Sequence, residues 1–288
     1  MDANGLMSRS MQTSSTRHPQ NCLKAGKLRS HNLLKRSVPT GFTASFEGVA
    51  ITGPINVDAF KSPSATEPSE ELRHWNLIGN PYPSAVNVDK FLIENTELEG
   101  NVRFWSNGNT TNSAIAGDFY SGVNYNYGDQ YVTYNRTGST PDMFGGNIAS
   151  GQGFFVQVDE SAGVTTSVAF DNTMRFNDAE IAYDNSQFIE TNQSSSVANS
   201  PNNQLVWLSL VDDSNTSSVA LIGYVNGATN GSDRMYDAFS DCGALRIYST
   251  LNNSKMAIQC RALPFDDEEL VPLGIDFPMA GTFSIVID

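Results

Sequence analysis

The sequence predicts an all-β protein. Short stretches of alternating apolar residues recur along it, Asn and Gly crowd the gaps between them, and Lys and Glu are too scarce to clothe long helices. Alternation with a period of two places apolar side chains on one face of a strand. Asn and Gly tolerate the positive φ of the tight turns that join strands. Hydrophobic residues make up 39% and aromatic residues 10% of the 288 positions, enough to build packed cores. The expected architecture is two successive antiparallel β-sandwich (jelly-roll-like) units, the second incomplete. A basic, disordered leader spans 1–40, a first unit 41–184, a polar linker 185–203 and a second unit 204–288.

The elements follow in order. Phe42, Ala44 and Phe46 alternate, and Val49, Ile51, Ile55 and Val57 continue across Gly53-Pro54. Residues 61–71 read as a polar loop. Residues 74–79 read as a buried strand that stops at Asn80-Pro81-Tyr82-Pro83, because proline cannot donate to a sheet ladder. Tyr82 is expected to fold back over that strand. Residues 88–94 form the one credible helix, with Asn87 as its cap, Asp89 in the first turn, and Phe91 and Leu92 facing inward. Strands are expected at 102–105, 130–134, 153–158 and 166–170, with a loop over 117–131. The glycines of Gly151-Gln152-Gly153 permit a turn that aims Phe154 and Phe155 into a core. Beyond the linker, strands are expected at 205–211, 219–225, 244–248, 255–260 and 282–287. Asn226-Gly227 and Asn230-Gly231 have the composition of type I′ turns. Five strands are few for a sandwich, which is why the second unit reads as cut off.

Charge narrows the function. Residues 1–40 carry seven Lys/Arg against one acid, leaving ten basic and thirty acidic side chains over 41–288, a net charge of −20. Such a surface repels nucleic-acid phosphates and anionic headgroups. No run of eighteen apolar residues offers a membrane span. Cys22, Cys242 and Cys260 match no zinc spacing; Cys242 and Cys260 are either two buried thiols or a disulfide pair.

Groups for catalysis are few. His18 and His31 lie in the leader, and His74 at a strand start reads as a structural imidazole. No nucleophile elbow, zinc-protease helix motif or phosphate-cradling glycine loop is present. The chain is therefore expected not to be an enzyme. Two binding chemistries remain. Asp212-Asp213, and Asp233 with Asp237, sit in oxygen-rich loops of the kind that hold Ca2+, though solvated turns look the same. Asp233 and Asp237 also flank Tyr236 and are expected to anchor a loop. Tyr120, Tyr125, Tyr127 and Tyr131 crowd a Gly/Asn-rich stretch, where rings either stack on sugars or pack as one face of a hairpin. No other cofactor is implied.

Several motifs carry a resemblance. WNLIGNPYPSAVNVDKFL (75–92), together with GFTASFEGV (41–49), VRFW (102–105), IASGQGFFV (148–156) and VAFDNTMR (168–175), is similar to a signature of large secreted Bacteroidota proteins. LVWLSLVD (205–212), LIGYVNGATNGSDRMYDA (221–238), LRIYS (245–249), AIQCRALPF (257–265) and VPLGI (271–275) follow in the same order. The resemblance covers 41–288. It implies a β-rich piece of a longer parent polypeptide, exported by the type IX secretion system to the outer-membrane surface or the extracellular space. The function this implies is a non-catalytic structural or adhesive segment that meets extracellular glycans or other surface proteins. The alternative is a carbohydrate-binding module, calcium-dependent or not, of a secreted glycan-degrading protein.

Overall fold

The computed structural model describes residues 50–61, 74–105, 131–185, 203–213, 217–240, 245–277 and 280–287. The leader, the 41–49 alternation, nearly all of the linker and most of the two expected loops lie outside the described residues. The first half comprises β1 (Ile55–Phe60), β2 (Trp75–Gly79), β3 (Val86–Asn87), α1 (Val88–Glu94), β4 (Leu98–Trp105), β5 (Tyr131–Asn135), β6 (Gly138–Thr140), β7 (Asn147–Ile148), β8 (Gly153–Val158) and β9 (Thr165–Phe170). The second comprises β10 (Gln204–Asp212), β11 (Ser217–Tyr224), β12 (Ala238–Phe239), β13 (Arg246–Leu251), β14 (Ser254–Arg261), β15 (Leu273–Asp276) and β16 (Phe283–Ile287). The protein is all-β, with one short α-helix and a 3-10 turn (Asn172–Arg175) among the described residues.

In the first half, β2-β8-β4-β5-β6 form one sheet, and β1-β9 and β3-β7 form two ribbons. Alternation sends Ile78, Val102, Phe104, Val132, Phe154 and Val156 to one face, where they meet Val168 and Phe170 of β9 and the helix. The Phe91 ring lies 5.4 Å from Phe154 and 5.1 Å from Phe170, so α1 plugs the gap between sheet and ribbon. Each such buried side chain stabilises the fold by roughly 1.5–3 kcal/mol. The helix occupies the expected residues, and Asn87 Oδ1 accepts from Lys90 N at 3.1 Å.

Asparagine side chains hold the corners of this half. The amide of Asn76 reproduces a peptide group, accepting from Phe60 N and donating to Phe60 O, both at 2.9 Å, and so ties β1 to β2. Asn80 Nδ2 reaches the carbonyls of Ser84, Ile148 and Ala149, while its Oδ1 accepts from Tyr82 N at 2.9 Å. Asn95 likewise pairs with both Ala169 N and Ala169 O. The prolines after Asn80 break the ladder, and the asparagine satisfies the carbonyls that the break exposes. Tyr82 is buried edge-on to Phe170 and donates its hydroxyl to Gly53 O at 2.6 Å, so it packs on the β1–β9 ribbon.

The second half departs from expectation in three ways. Its sheet has seven strands in the order β15-β13-β14-β11-β10-β16, with β12 beside β14, so β12 and β15 join the five expected. One pairing is parallel, β11 with β14, within a sheet expected to be antiparallel throughout. The type I′ turn falls at Asn252-Asn253, with φ of 50° and 68°, in the two-residue link between β13 and β14. Asn226 and Asn230 do not take positive φ; Gly227, at φ +94°, sits third in a turn closed by Ala228 N to Val225 O. One expectation fails in the first half too. Phe154 enters the core, but Phe155 points to the opposite face of the sheet, as strand alternation requires.

Asn80→Ala would remove three hydrogen bonds to carbonyls and one from an amide. Urea unfolding of the full chain is expected to show a loss of roughly 2–4 kcal/mol, and a loss of only a few tenths would mean that water replaces the amide.

Candidate functional site

The two halves meet at a joint built from backbone upward. The segment after β11 brings Arg234 and Met235 against the α1–β4 corner. Arg234 Nη2 donates to Leu92 O and Asn95 O, and its Nε donates to Leu98 O, each at 2.8 Å. Met235 is buried in the first half's core. The approach is possible because residue 100 is glycine: a Cβ there would fall on the backbone nitrogen of Met235. Further contacts run from β6 and β4. Trp207 Nε1 donates to Ser139 O at 3.0 Å, Thr140 Oγ1 donates to Val219 O at 2.9 Å, and Arg103 Nη2 donates to Phe239 O at 2.6 Å.

The aspartates expected to bind Ca2+ fall in two places. Asp237 accepts from Asp233 N at 2.7 Å and from Cys260 N at 2.8 Å, and Asp233 accepts from Thr229 N at 2.5 Å. These carboxylates pin the loop around Tyr236 to β14. Asp212 ends β10 and Asp213 follows it, at the other end of the β10–β11 hairpin, roughly 20 Å away by strand rise. The four are thus not brought together. Among the described residues, no group of three or more His, Cys, Asp or Glu is placed to hold a metal ion. Cys260 is a free, buried thiol whose Sγ lies 2.9 Å from Thr137 Oγ1, while Cys242 lies outside the described residues. Burial pushes that thiol up to about 12. His74 is buried, with Nδ1 3.3 Å from Glu160 Oε2.

Of the tyrosines, Tyr120, Tyr125 and Tyr127 lie outside the described residues. Tyr131 opens β5, directly opposite Trp105 of β4, on the sheet face that turns away from the first core. Its ring is 5.9 Å from Phe155. On the same face Arg103 is buried with its guanidinium 4.3 Å from the centre of the Trp75 ring. Gly79 pairs with Gly153 in the next row, and continuing the β4–β8 register places Trp105 beside Gly153. Leu77 is 52% and Trp105 42% exposed, and both glycines are exposed. Trp105 and the glycine pair escaped sequence reasoning because the strand-edge signal of Trp105 ends where the tyrosine-rich stretch begins. A separate hollow of about 180 Å3 lies between the α1–β4 turn and β9, lined by Glu94, Asn95, Leu98, Thr166 and Ala169. Pockets for larger organic ligands begin near 300 Å3.

Two carboxylates beside the joint hold protons unusually well. Burial, assisted by Asp159, pushes Glu99 up to about 7 against the pull of Arg234. Burial pushes Asp237 up to about 6, although the amides of Asp233 and Cys260 favour its charge.

The fold and its joint define an all-β protein whose halves are locked together by side-chain bonds to backbone. The chain belongs to the family described as "Domain of unknown function (DUF8693)", whose model matches residues 10–288. No curated protein and no solved structure matches it.

Arg234→Ala is expected to cost roughly 3–5 kcal/mol in urea unfolding, since it removes three hydrogen bonds to the carbonyls of Leu92, Asn95 and Leu98; a change below 1 kcal/mol would remove the joint as a determinant of stability. pH offers a second test. Glu99 and Asp237 bind protons more tightly folded than unfolded, so stability rises as pH falls through 7 and 6. The depressed carboxylates, Asp276 and Glu269, oppose this only below their ordinary values of 3.8 and 4.5. The thermal midpoint is therefore expected to be higher at pH 5 than at pH 8, and Glu99→Gln to flatten the difference. An unchanged or falling midpoint would contradict the assignment.

Proposed function

We propose that this chain is a non-catalytic structural or adhesive segment of an exported bacterial surface protein, of the type IX-secreted kind that its motifs resemble. The observation that supports it most is the joint. Arg234 and Met235 reach into the first half while Trp207 and Arg103 bond across in both directions. A chain tied this way transmits force from one sheet to the next without a hinge, which suits a segment that spans distance on a cell surface. The net charge of −20 over 41–288 suits a soluble surface and turns away polyanions. The motif resemblance supplies the route and the location.

A second reading, a carbohydrate-binding module, is favoured by one observation, the exposed Trp105 beside Tyr131 on the outer sheet face.

Antibodies raised against the full chain test the surface reading on intact cells of the producing bacterium. Labelling of intact cells, lost when the type IX machinery is inactivated, is the expected result. Labelling that appears only after permeabilisation would remove the reading.

A further inference from the structure

We propose that β16 is an association edge, where two copies of this chain pair their β16 strands antiparallel across a two-fold axis and join their seven-stranded sheets into one. This pairing goes beyond the surface reading above and does not depend on it. Among the described residues, β16 bonds to β10 on one side and ends the sheet on the other. A sheet edge presents a row of backbone N–H and C=O groups, and proteins that avoid pairing there place charges, proline or a bulge on it. Phe283–Ile287 reads Phe-Ser-Ile-Val-Ile in unbroken register with β10, and has none of these guards.

Both faces of the strand carry exposed apolar side chains. Ile285 lies opposite Leu210 and Ile287 opposite Leu208, so both continue the face on which Leu208, Leu210, Ala220 and Ile247 cluster. Phe283 packs against that cluster, yet Ile285 is 51% and Ile287 72% exposed, and Val286 is exposed on the other face. At the opposite edge of the sheet, Ile275 lies across from Ile247 and carries the same apolar face out to β15, where it too is exposed. The curl of the sheet brings the Phe277 ring, just past β15, to 5.4 Å from Phe283. The apolar rims of the two edge strands therefore adjoin.

The strand is complementary to itself. A two-fold axis at Ile285 sets that residue against its own copy, Phe283 against Ile287 and Ser284 against Val286. No like charges meet, and aromatic and β-branched partners are the favourable cross-strand pairs. The area agrees with a second copy held weakly. Leu273, Ile275, Phe277, Ile285, Val286 and Ile287, at roughly 60–100 Å2 each, offer on the order of 400–600 Å2. The backbone strip of five residues adds about 80 Å2. A stable pair covers about 800 Å2 of each partner, so this one is a reversible dimer at the small end of that range. Its salt response is also set. Each copy carries a net charge of −14, so the copies repel until salt screens them, while the apolar contact itself contains no ion pair for salt to weaken.

Sedimentation velocity of the full chain over roughly 1–200 µM tests the pairing. A monomer–dimer equilibrium with a Kd on the order of 10 µM is expected. It should be several-fold tighter in about 0.5 M than in about 0.05 M NaCl. Ile285→Lys, which sets two cations face to face at the axis, should weaken the dimer roughly tenfold or more. Ile181→Lys, at an exposed apolar position in the first half, should leave it unchanged. Ile285→Cys is a milder change that keeps the test decisive if the lysine variant does not fold. Directly opposed residues of antiparallel strands lie about 4.5–5.5 Å apart at Cα, within disulfide reach, so mild oxidation should link two copies at position 285 beyond any linkage in the wild-type chain. The proposal is overturned by a monomer at every concentration, by oligomers that grow past the dimer, or by a dimer that salt dissociates. A dimer that survives Ile285→Lys, or an Ile285→Cys chain that does not cross-link, overturns it equally.

Discussion

Arg234 is the contact on which the rest of the molecule depends. The helix α1 ends without a basic residue in its last turn, so no local cation answers the terminal carbonyls and the negative end of its dipole, although Asn95 N and Nδ2 both donate to Phe91 O. The guanidinium that answers them arrives from the second half of the chain. It bonds Leu92 O, Asn95 O and Leu98 O at once, the fixed fork of arginine spanning the turn from helix to β4. Because α1 carries Phe91 and Leu92 into the first core, a cation from the second half secures the element around which the first half packs. Gly100 is the steric condition for this, and Met235, one residue further on, becomes part of the core it approaches.

The two halves contribute unequally. The first owns a large aromatic cluster in which Phe91, Phe104, Phe144, Phe154 and Phe170 touch ring to ring. The second divides its apolar residues between two smaller clusters on either side of one curled sheet. Its edge strands leave Leu273, Ile285 and Ile287 well exposed. The second sheet thus gains part of its order from the first, through Trp207 and Thr137, while the first gains its helix clamp in return.

Much of this was legible in the residues. The helix at 88–94 was readable to the residue because Asn87, Asp89, Phe91 and Leu92 each state their position by chemistry that acts within one turn. Long strands such as 153–158 were equally plain. The elements that escaped, β3, β6, β7, β12 and β15, are two to four residues long, too short for a period to register. The parallel pairing of β11 with β14 and the placing of Asn252-Asn253 depend on which strands become neighbours, a long-range outcome that local composition does not encode. The site fared similarly. Tyr131 stood out by type, but its partner Trp105 and the glycine row are separated from it by up to 52 positions and meet only through the ladder. The aspartates stood out by charge, yet Asp233 and Asp237 are occupied by backbone amides. Gly100 carried a usable signal, a lone glycine inside a strand, which marks close backbone approach.

The asparagines at the sheet corners give the protein an uneven response to its surroundings. Asn76, Asn80 and Asn95 bind through amides that neither ionise nor attract counterions, so the first half's corners are indifferent to acidity and salt. The joint between halves is different, for Glu99 and Asp237 beside it change charge near neutrality. A molecule put together in this way has weather-proof frames and a weather-sensitive seam.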